Sequence, residues 1–384
     1  MKSRRGRKYR DKHCIKEEEG GLSLLPDVIV MDILSRLPLK TIIQSRCVCK
    51  TWQSLLSDSY FASLLQQKAR PTLVLQSEPK QGPSNFYMVE LESGIHGVLK
   101  FNTKNNIPTR HVELLGSCNG LLCLFALNSI RSYYLCNPIT GQFVNTPSNS
   151  KKQKRVGKLV ATVHGFGFSP ESNQYMVLRI TNKKYNHPNV NLRTEGEVYT
   201  FGTDNWRSIG EVPFPVHHKF FSIQLNGALH WIAERDANGG SDIICSLNID
   251  TKKISTIATP PDEFDRVDSE IVLGVLEGCL YICDSMSFYN LEIWLLKNYG
   301  VESSWSREIV IAKTSLPKEM QDCVLKPIMR FKNGEILIQN DCNYMILYDP
   351  RRGSFVNVSV GRVGHEFKAA AHVASFDAIP CLTF

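Results

Sequence analysis

The residues best able to do chemistry in this 384-residue chain are its twelve cysteines and ten histidines. A metal or redox site would gather them at short, repeated spacing. The closest thiols are Cys47-x-Cys49 and Cys279-x3-Cys283, and neither has a matching second pair. His217-His218 is the only adjacent histidine pair, and it sits in a proline-rich link. No glycine-rich phosphate loop follows a strand and opens a helix. These patterns predict no catalytic residue, no metal and no cofactor. The cysteines read as buried, inert thiols.

Binding chemistry is better represented. Lys151, Lys152, Lys154 and Arg155 form one basic run. Lys183, Lys184 and Tyr185 open a second segment, Asn182 to Thr194, that is longer than a hairpin needs. Long loops on a rigid scaffold often carry recognition, although a solvated insertion is the commoner explanation. These seven residues are the candidate target-binding set, and their charge suits an acidic partner.

The net charge is +8, but residues 1–20 hold +4 of it. The rest of the chain is too nearly neutral to predict a nucleic-acid-binding body. No apolar run approaches the roughly 20 residues that span a bilayer. The first twelve residues are almost all polar or charged, which predicts no secretory signal and an intracellular protein with reduced thiols. Residues 1–20 read as a disordered basic tail, equally suited to a nuclear signal and to a solvated leader. The expected location is cytoplasmic and/or nuclear.

Residues 21–68 read as a small all-α module. Pro26 fits the first turn of a helix carrying Val30, Ile33, Leu34 and Leu37, and Pro38 ends it. A second helix is expected over Thr41 to Arg46. A third carries Val48, Trp52, Leu55 and Leu56, and a fourth, capped by Ser57 or Asp58, carries Phe61, Leu64 and Leu65. A unit this small has a marginal core, yet it offers more apolar faces than its short helices can bury. It must pack on a partner or on the rest of its own chain.

The run Leu24 to Phe61 resembles the F-box. It shows Leu25-Pro26, Ile33-Leu34-x-x-Leu37-Pro38 and Arg46-x-Val48-Cys49-Lys50-x-Trp52 in the order and spacing of that family. The resemblance implies binding to a Skp-family adaptor and, through it, a cullin ubiquitin ligase. By the same resemblance, Leu25, Pro26, Ile33, Leu34, Leu37, Pro38 and Val48 meet the adaptor. Trp52 is expected in the module's own core.

Beyond Pro71 the pattern changes to short apolar runs punctuated by Gly, Asn, Asp and Pro, which predicts strands. Similar units begin at Ser117, Leu225 and Lys332, each with an early Asn-Gly pair. Two more units carry Gly165 and Glu277-Gly278 at the corresponding place. The spacing averages about 53 residues between Gly120 and Gly227, then 51 to Gly278 and 56 to Gly334. A repeat near 50 residues with four strands marks a kelch-type propeller blade.

Residues 72–110 supply a sixth blade, and His372 to Ile379 is expected to pair into it and close the ring. Trp206, Trp231, Trp294 and Trp305 are expected between blades. Residues 71–380 resemble the kelch-like F-box-associated domain of plant F-box proteins, most clearly at Ser117-Cys118-Asn119-Gly120-Leu121 and Asn137-Pro138-x-Thr140-Gly141.

The expected architecture is thus a small all-α F-box module followed by an all-β kelch-like propeller of about six four-stranded blades. The resemblance implies a non-catalytic substrate receptor of a Skp–cullin–F-box ligase with an unknown protein target. A non-degradative adaptor-binding regulator and, more remotely, a propeller enzyme remain alternatives.

Overall fold

The computed structural model describes residues 25–380, except 69–70, 78–83, 92–94, 102, 104–106, 108–111, 127–131, 147–157, 188–189, 217–222, 235–241, 262–270, 286, 288, 341–343 and 361–366. The basic tail, Lys151, Lys152, Lys154, Arg155 and His217-His218 lie outside the described residues.

Four short helices come first: α1 (Asp27–Ser35), α2 (Leu39–Ser45), α3 (Lys50–Leu55) and α4 (Ser59–Gln67). Pro26 and Pro38 stand at the N-caps of α1 and α2, with φ of −56° and −55°. Each ring fixes the backbone for helix entry and removes an N–H that would lack a partner. Val48, expected on the third helix, lies ahead of it in the connection. Asp58 Oδ1 accepts the Tyr60 N–H at 2.8 Å and caps α4.

Six four-stranded antiparallel sheets follow, each a blade. Blade 1 joins β1 (Thr72–Ser77), β2 (Asn85–Leu91) and β3 (Ile95–Phe101) to the last strand, β24 (Phe367–His372). Blade 2 is β4 (Val112–Cys118), β5 (Leu121–Ala126), β6 (Ser132–Cys136) and β7 (Phe143–Asn145). Blade 3 is β8 (Lys158–Ser169), β9 (Gln174–His187), β10 (Val190–Thr200) and β11 (Arg207–Glu211). Blade 4 is β12 (Ile223–Leu225), β13 (Ala228–Glu234), β14 (Asp242–Asn248) and β15 (Ile254–Ile257). Blade 5 is β16 (Ile271–Leu276), β17 (Cys279–Asp284), β18 (Asn290–Leu296) and β19 (Trp305–Ala312). Blade 6 is β20 (Leu325–Arg330), β21 (Ile336–Asn340), β22 (Met345–Asp349) and β23 (Ser354–Asn357).

The strands β4, β8, β12, β16, β20 and β24 touch in succession and form a closed inner ring. Apolar seams fill the spaces between blades. Trp231 is fully buried between blades 3 and 4, and Trp294 and Trp305 lie between blades 4 and 5. Trp206 is half-buried at the seam of blades 2 and 3. Amide side chains clasp neighbouring blades. Fully buried Gln76 on β1 accepts from Leu114 N–H and donates to Val112 O on β4, at 2.6 and 2.5 Å. Gln339 on β21 does the same for Ala369 N–H and Phe367 O on β24.

Three sequence expectations need correction. The ring closes as foreseen, but through Phe367–His372, which pairs with Thr72–Ser77; residues 373–379 continue without strand pairing. Gly165 lies inside β8, and the first turn of blade 3 falls at 170–173, where Asn173 takes φ +52°. That turn divides the interval between Gly120 and Gly227 almost evenly. Finally, Asn182 to Thr194 is not a loop but an extension of the β9–β10 hairpin, with Lys183 opposite Arg193 and Asn182 opposite Thr194. Asn182 is buried there because its amide donates to Val216 O at 2.9 Å and accepts from Thr194 Oγ1 at 3.0 Å.

Candidate adaptor-docking and target-binding surfaces

Helix α1 is apolar on two sides. Val30, Met31 and Leu34 point into a core shared with α2, α3 and α4. Leu25, Val28, Ile29 and Ile33 stand three, four and eight residues apart and are exposed by 36, 56, 47 and 39%. Val28, Ile29 and Ile33 share one face of α1, and Leu25 lies just ahead of its N-cap. Val48, in the α2–α3 connection, is 65% exposed, and Pro26 and Pro38 also face solvent. Of the residues expected to meet an adaptor, Leu34 is instead 2% exposed and Leu37 is half-buried against the same core. The sequence reading did not single out Val28 and Ile29, although Ile29 stands one turn before Ile33 and Val28 adjoins it.

Trp52 is half-buried against the helical core, as expected. The expectation of buried thiols fails for Cys47 and Cys49, which are exposed. Cys49 Sγ accepts the Trp52 N–H at 3.4 Å and so caps α3. In the propeller, Cys123, Cys136, Cys245 and Cys283 are buried. Burial pushes the Cys245 thiol up to about 12, which keeps it protonated and unreactive.

The inner side of the helical module rests on the propeller. Its core continues into Met88 and Leu99 of blade 1, Ile139 of blade 2, and Phe376. Glu90, 7% exposed on β2, accepts the Leu39 N–H at the start of α2 at 2.9 Å. A carboxylate there satisfies an orphan donor and meets the positive end of the helix dipole. Lys68 reaches back to Asp32 and to Ser35 Oγ. The paired Lys68 and Arg36 hold the Asp32 carboxyl below its usual range. One side of the module therefore packs on its own chain, and the other is exposed.

The module sits at the propeller face formed by the first-to-second and third-to-fourth strand turns, since Ile139 lies in the β6–β7 turn. The β9–β10 extension projects at the opposite face, because it joins second and third strands. Within it, Lys183 pairs with Glu195, and Tyr185 donates its hydroxyl to Glu195 Oε1 at 3.1 Å. The Lys183 hydrogen bond is the main cause of a lowered Glu195 pKa. Lys184 is exposed. Leu159, Val160 and Leu192, which the sequence did not single out, are exposed on the same ribbon by 40–44%. Of the three described members of the candidate target-binding set, Lys183 and Tyr185 thus engage Glu195, Lys184 is exposed, and apolar neighbours accompany them.

An uncovered apolar helix stripe carried on a six-bladed β-propeller is the form of an F-box propeller protein. Residues 22–64 match the F-box domain, and residues 64–379 match the F-box-associated beta propeller domain. The chain belongs to this F-box-associated propeller family. It is similar to the F-box protein At3g07870 of Arabidopsis thaliana, 27% identical over 93% of this chain and 92% of that one. The F-box/kelch-repeat protein At3g23880 of the same plant is 26% identical over 75% of this chain and 79% of its own. The Arabidopsis F-box protein DOR is 28% identical over 77% and 76%. No helix among the described residues is long and apolar enough to cross a membrane.

Proposed function

We propose that this chain is the substrate-recognition subunit of a Skp–cullin–F-box ubiquitin ligase. The carrying observation is the exposed stripe Val28, Ile29 and Ile33 on α1, with exposed Leu25 just ahead of it, while the helix's other side is already buried. Burying apolar surface contributes about 25 cal/mol per Å², so a groove on a Skp-family adaptor is its natural complement. Pro26, Pro38 and Val48 extend the contact, and Leu34 and Leu37 support it from beneath. The kelch-like propeller holds a protein target on the face away from the helices, in the cytoplasm and/or nucleus. The chain itself does no covalent chemistry. It raises the effective concentration of target lysines at a separate ubiquitin-conjugating enzyme.

Charge introduced into the stripe tests this. The double variant Val28→Asp, Ile29→Asp is expected to weaken capture of a purified Skp-family adaptor by about a hundredfold or more. The propeller's unfolding transition should not move, because neither side chain is buried. If the unaltered chain captures no such adaptor, the reading fails.

A further inference from the structure

The turn motifs of blade 2 hold more than their own hairpins. After β24 leaves the ring at His372, residues 373–379 cross beneath this blade. Asn137 Nδ2 donates to the carbonyl oxygens of Ser375 and Asp377, at 3.0 and 2.9 Å. Gln142 Oε1 accepts the Ile379 N–H at 3.0 Å, and Ile379 is fully buried in the seam of blades 2 and 3. Gly120 leaves room for the same segment: a Cβ there would lie 2.2 Å from Ser375 Cβ. Two turns, at Asn119-Gly120 and Asn137–Gln142, thus cradle one stretch of chain.

That stretch presents Phe376 to the helices. Phe376 is 5% exposed and packs edge-on against Phe61 of α4, with ring centroids 5.9 Å apart. The Arg46 guanidinium lies 5.7 Å from the Phe376 ring centre. The covalent tether between α4 and β1 is only residues 68–71. The Glu90–Leu39 hydrogen bond and the contacts with Met88, Leu99 and Ile139 also hold the module on blades 1 and 2; Phe376 adds a contact to α4 that neither they nor the short link supply.

We propose that residues 373–379 form a strap that fixes the orientation of the helical module on the propeller. Gly120, Asn137, Gln142 and Phe376 are its positioning residues. The strap's consequence for ubiquitin transfer rests on the ligase reading above; its mechanical role does not.

Hydrogen exchange on the full chain tests the mechanics. Asn137→Asp keeps the Oδ1 acceptor used by the Ile139 and Thr140 N–H groups, but sets a carboxylate against two carbonyl oxygens. Exchange in 373–379 and in α1–α4 should rise by about tenfold or more, while blades 4–6 stay unchanged. Phe376→Ala should loosen α1–α4 with Ile379 still protected. Adaptor affinity should hold in both variants, since the exposed stripe lies on the other side of α1. In a reconstituted ligase, ubiquitin should spread over more target lysines. Helices as protected as in the unaltered chain, or an equal rise in all six blades, would overturn the proposal. If the unaltered chain binds no adaptor, the ligase reading falls and exchange alone still decides the strap.

Discussion

The two faces of the propeller are made from the same strands but joined differently. On the face carrying the helices the strands are joined across two to eight residues, whereas the other face adds to its second-to-third connections of two to seven residues a crossing of nine to thirteen from each outer strand to the next inner strand. Short turns leave the backbone few conformations, so they demand particular residues. Long crossings tolerate many sequences and are where recognition evolves on a fixed scaffold. Substitutions at the helical face should therefore cost stability, and those at the opposite face should cost recognition.

Acid gives the largest expected test of the first half. His372 and His230 are buried near the helical face, and burial pushes each down to about 4. His372 Nδ1 meets Ser117 Oγ at 2.8 Å across the closing seam of blades 1 and 2. His230 Nε2 meets the Tyr299 hydroxyl at 2.7 Å across blades 4 and 5. A histidine lowered in the fold is neutral there while the unfolded chain, near 6.5, takes up a proton. Stability is then full above pH 6.5 and is lost as pH falls toward 4. Each site should cost about 2 kcal/mol between pH 7 and pH 5. Denaturant midpoints across this range measure it. A flat profile for the unaltered chain would show that these seams do not depend on neutral histidine.

Gly120 and Gly141 offer a sharper contrast on the same face. Both have positive φ, +78° and +74°, so alanine is strained at either. Only Gly120 has the strap within reach; a Cβ on Gly141 meets nothing within 4 Å. Gly141→Ala should cost about 1 kcal/mol, and Gly120→Ala about 3 kcal/mol, because Ser375 must also move. Equal losses in chemical denaturation would mean that the strap gives way freely.

Much of this fold was legible because its constraints are local. Asn119-Gly120 and Asn226-Gly227 adopt positive φ at both residues, as a two-residue hairpin requires. Yet local likeness misleads. Glu277-Gly278 takes the same conformation without an Asn, while Asn333-Gly334 sits in a five-residue turn where only the Gly has positive φ. The buried amides Gln76 and Asn182 were invisible, because nothing nearby in sequence names their cross-blade partners Val112 and Val216, more than 30 residues away. The strap escaped for the same reason: Asn137 meets Ser375 across 238 positions. The exposed apolar stripe was half legible. The likeness to the F-box picked out Leu25 and Ile33, but only packing shows that Leu34 turns inward while Val28 and Ile29 turn out.

The smallest expected effect separates two adjacent lysines at the opposite face. Lys183 is tied to Glu195 in a half-exposed pair that also engages Tyr185, whereas Lys184 is exposed and takes no part in it. Lys183→Glu breaks the pair and sets two carboxylates together, at a cost of about 1 kcal/mol after allowance for solvent screening. Lys184→Glu should change stability by less than about 0.5 kcal/mol. If the ribbon contacts an acidic target, Lys184→Glu should still weaken target capture severalfold, and raising salt should narrow the difference. Capture identical to that of the unaltered chain at low salt would remove Lys184 from the recognition surface. The exposed Leu159, Val160 and Leu192 would then be the part of the ribbon left to bind, and the partner's contact would be apolar rather than acidic.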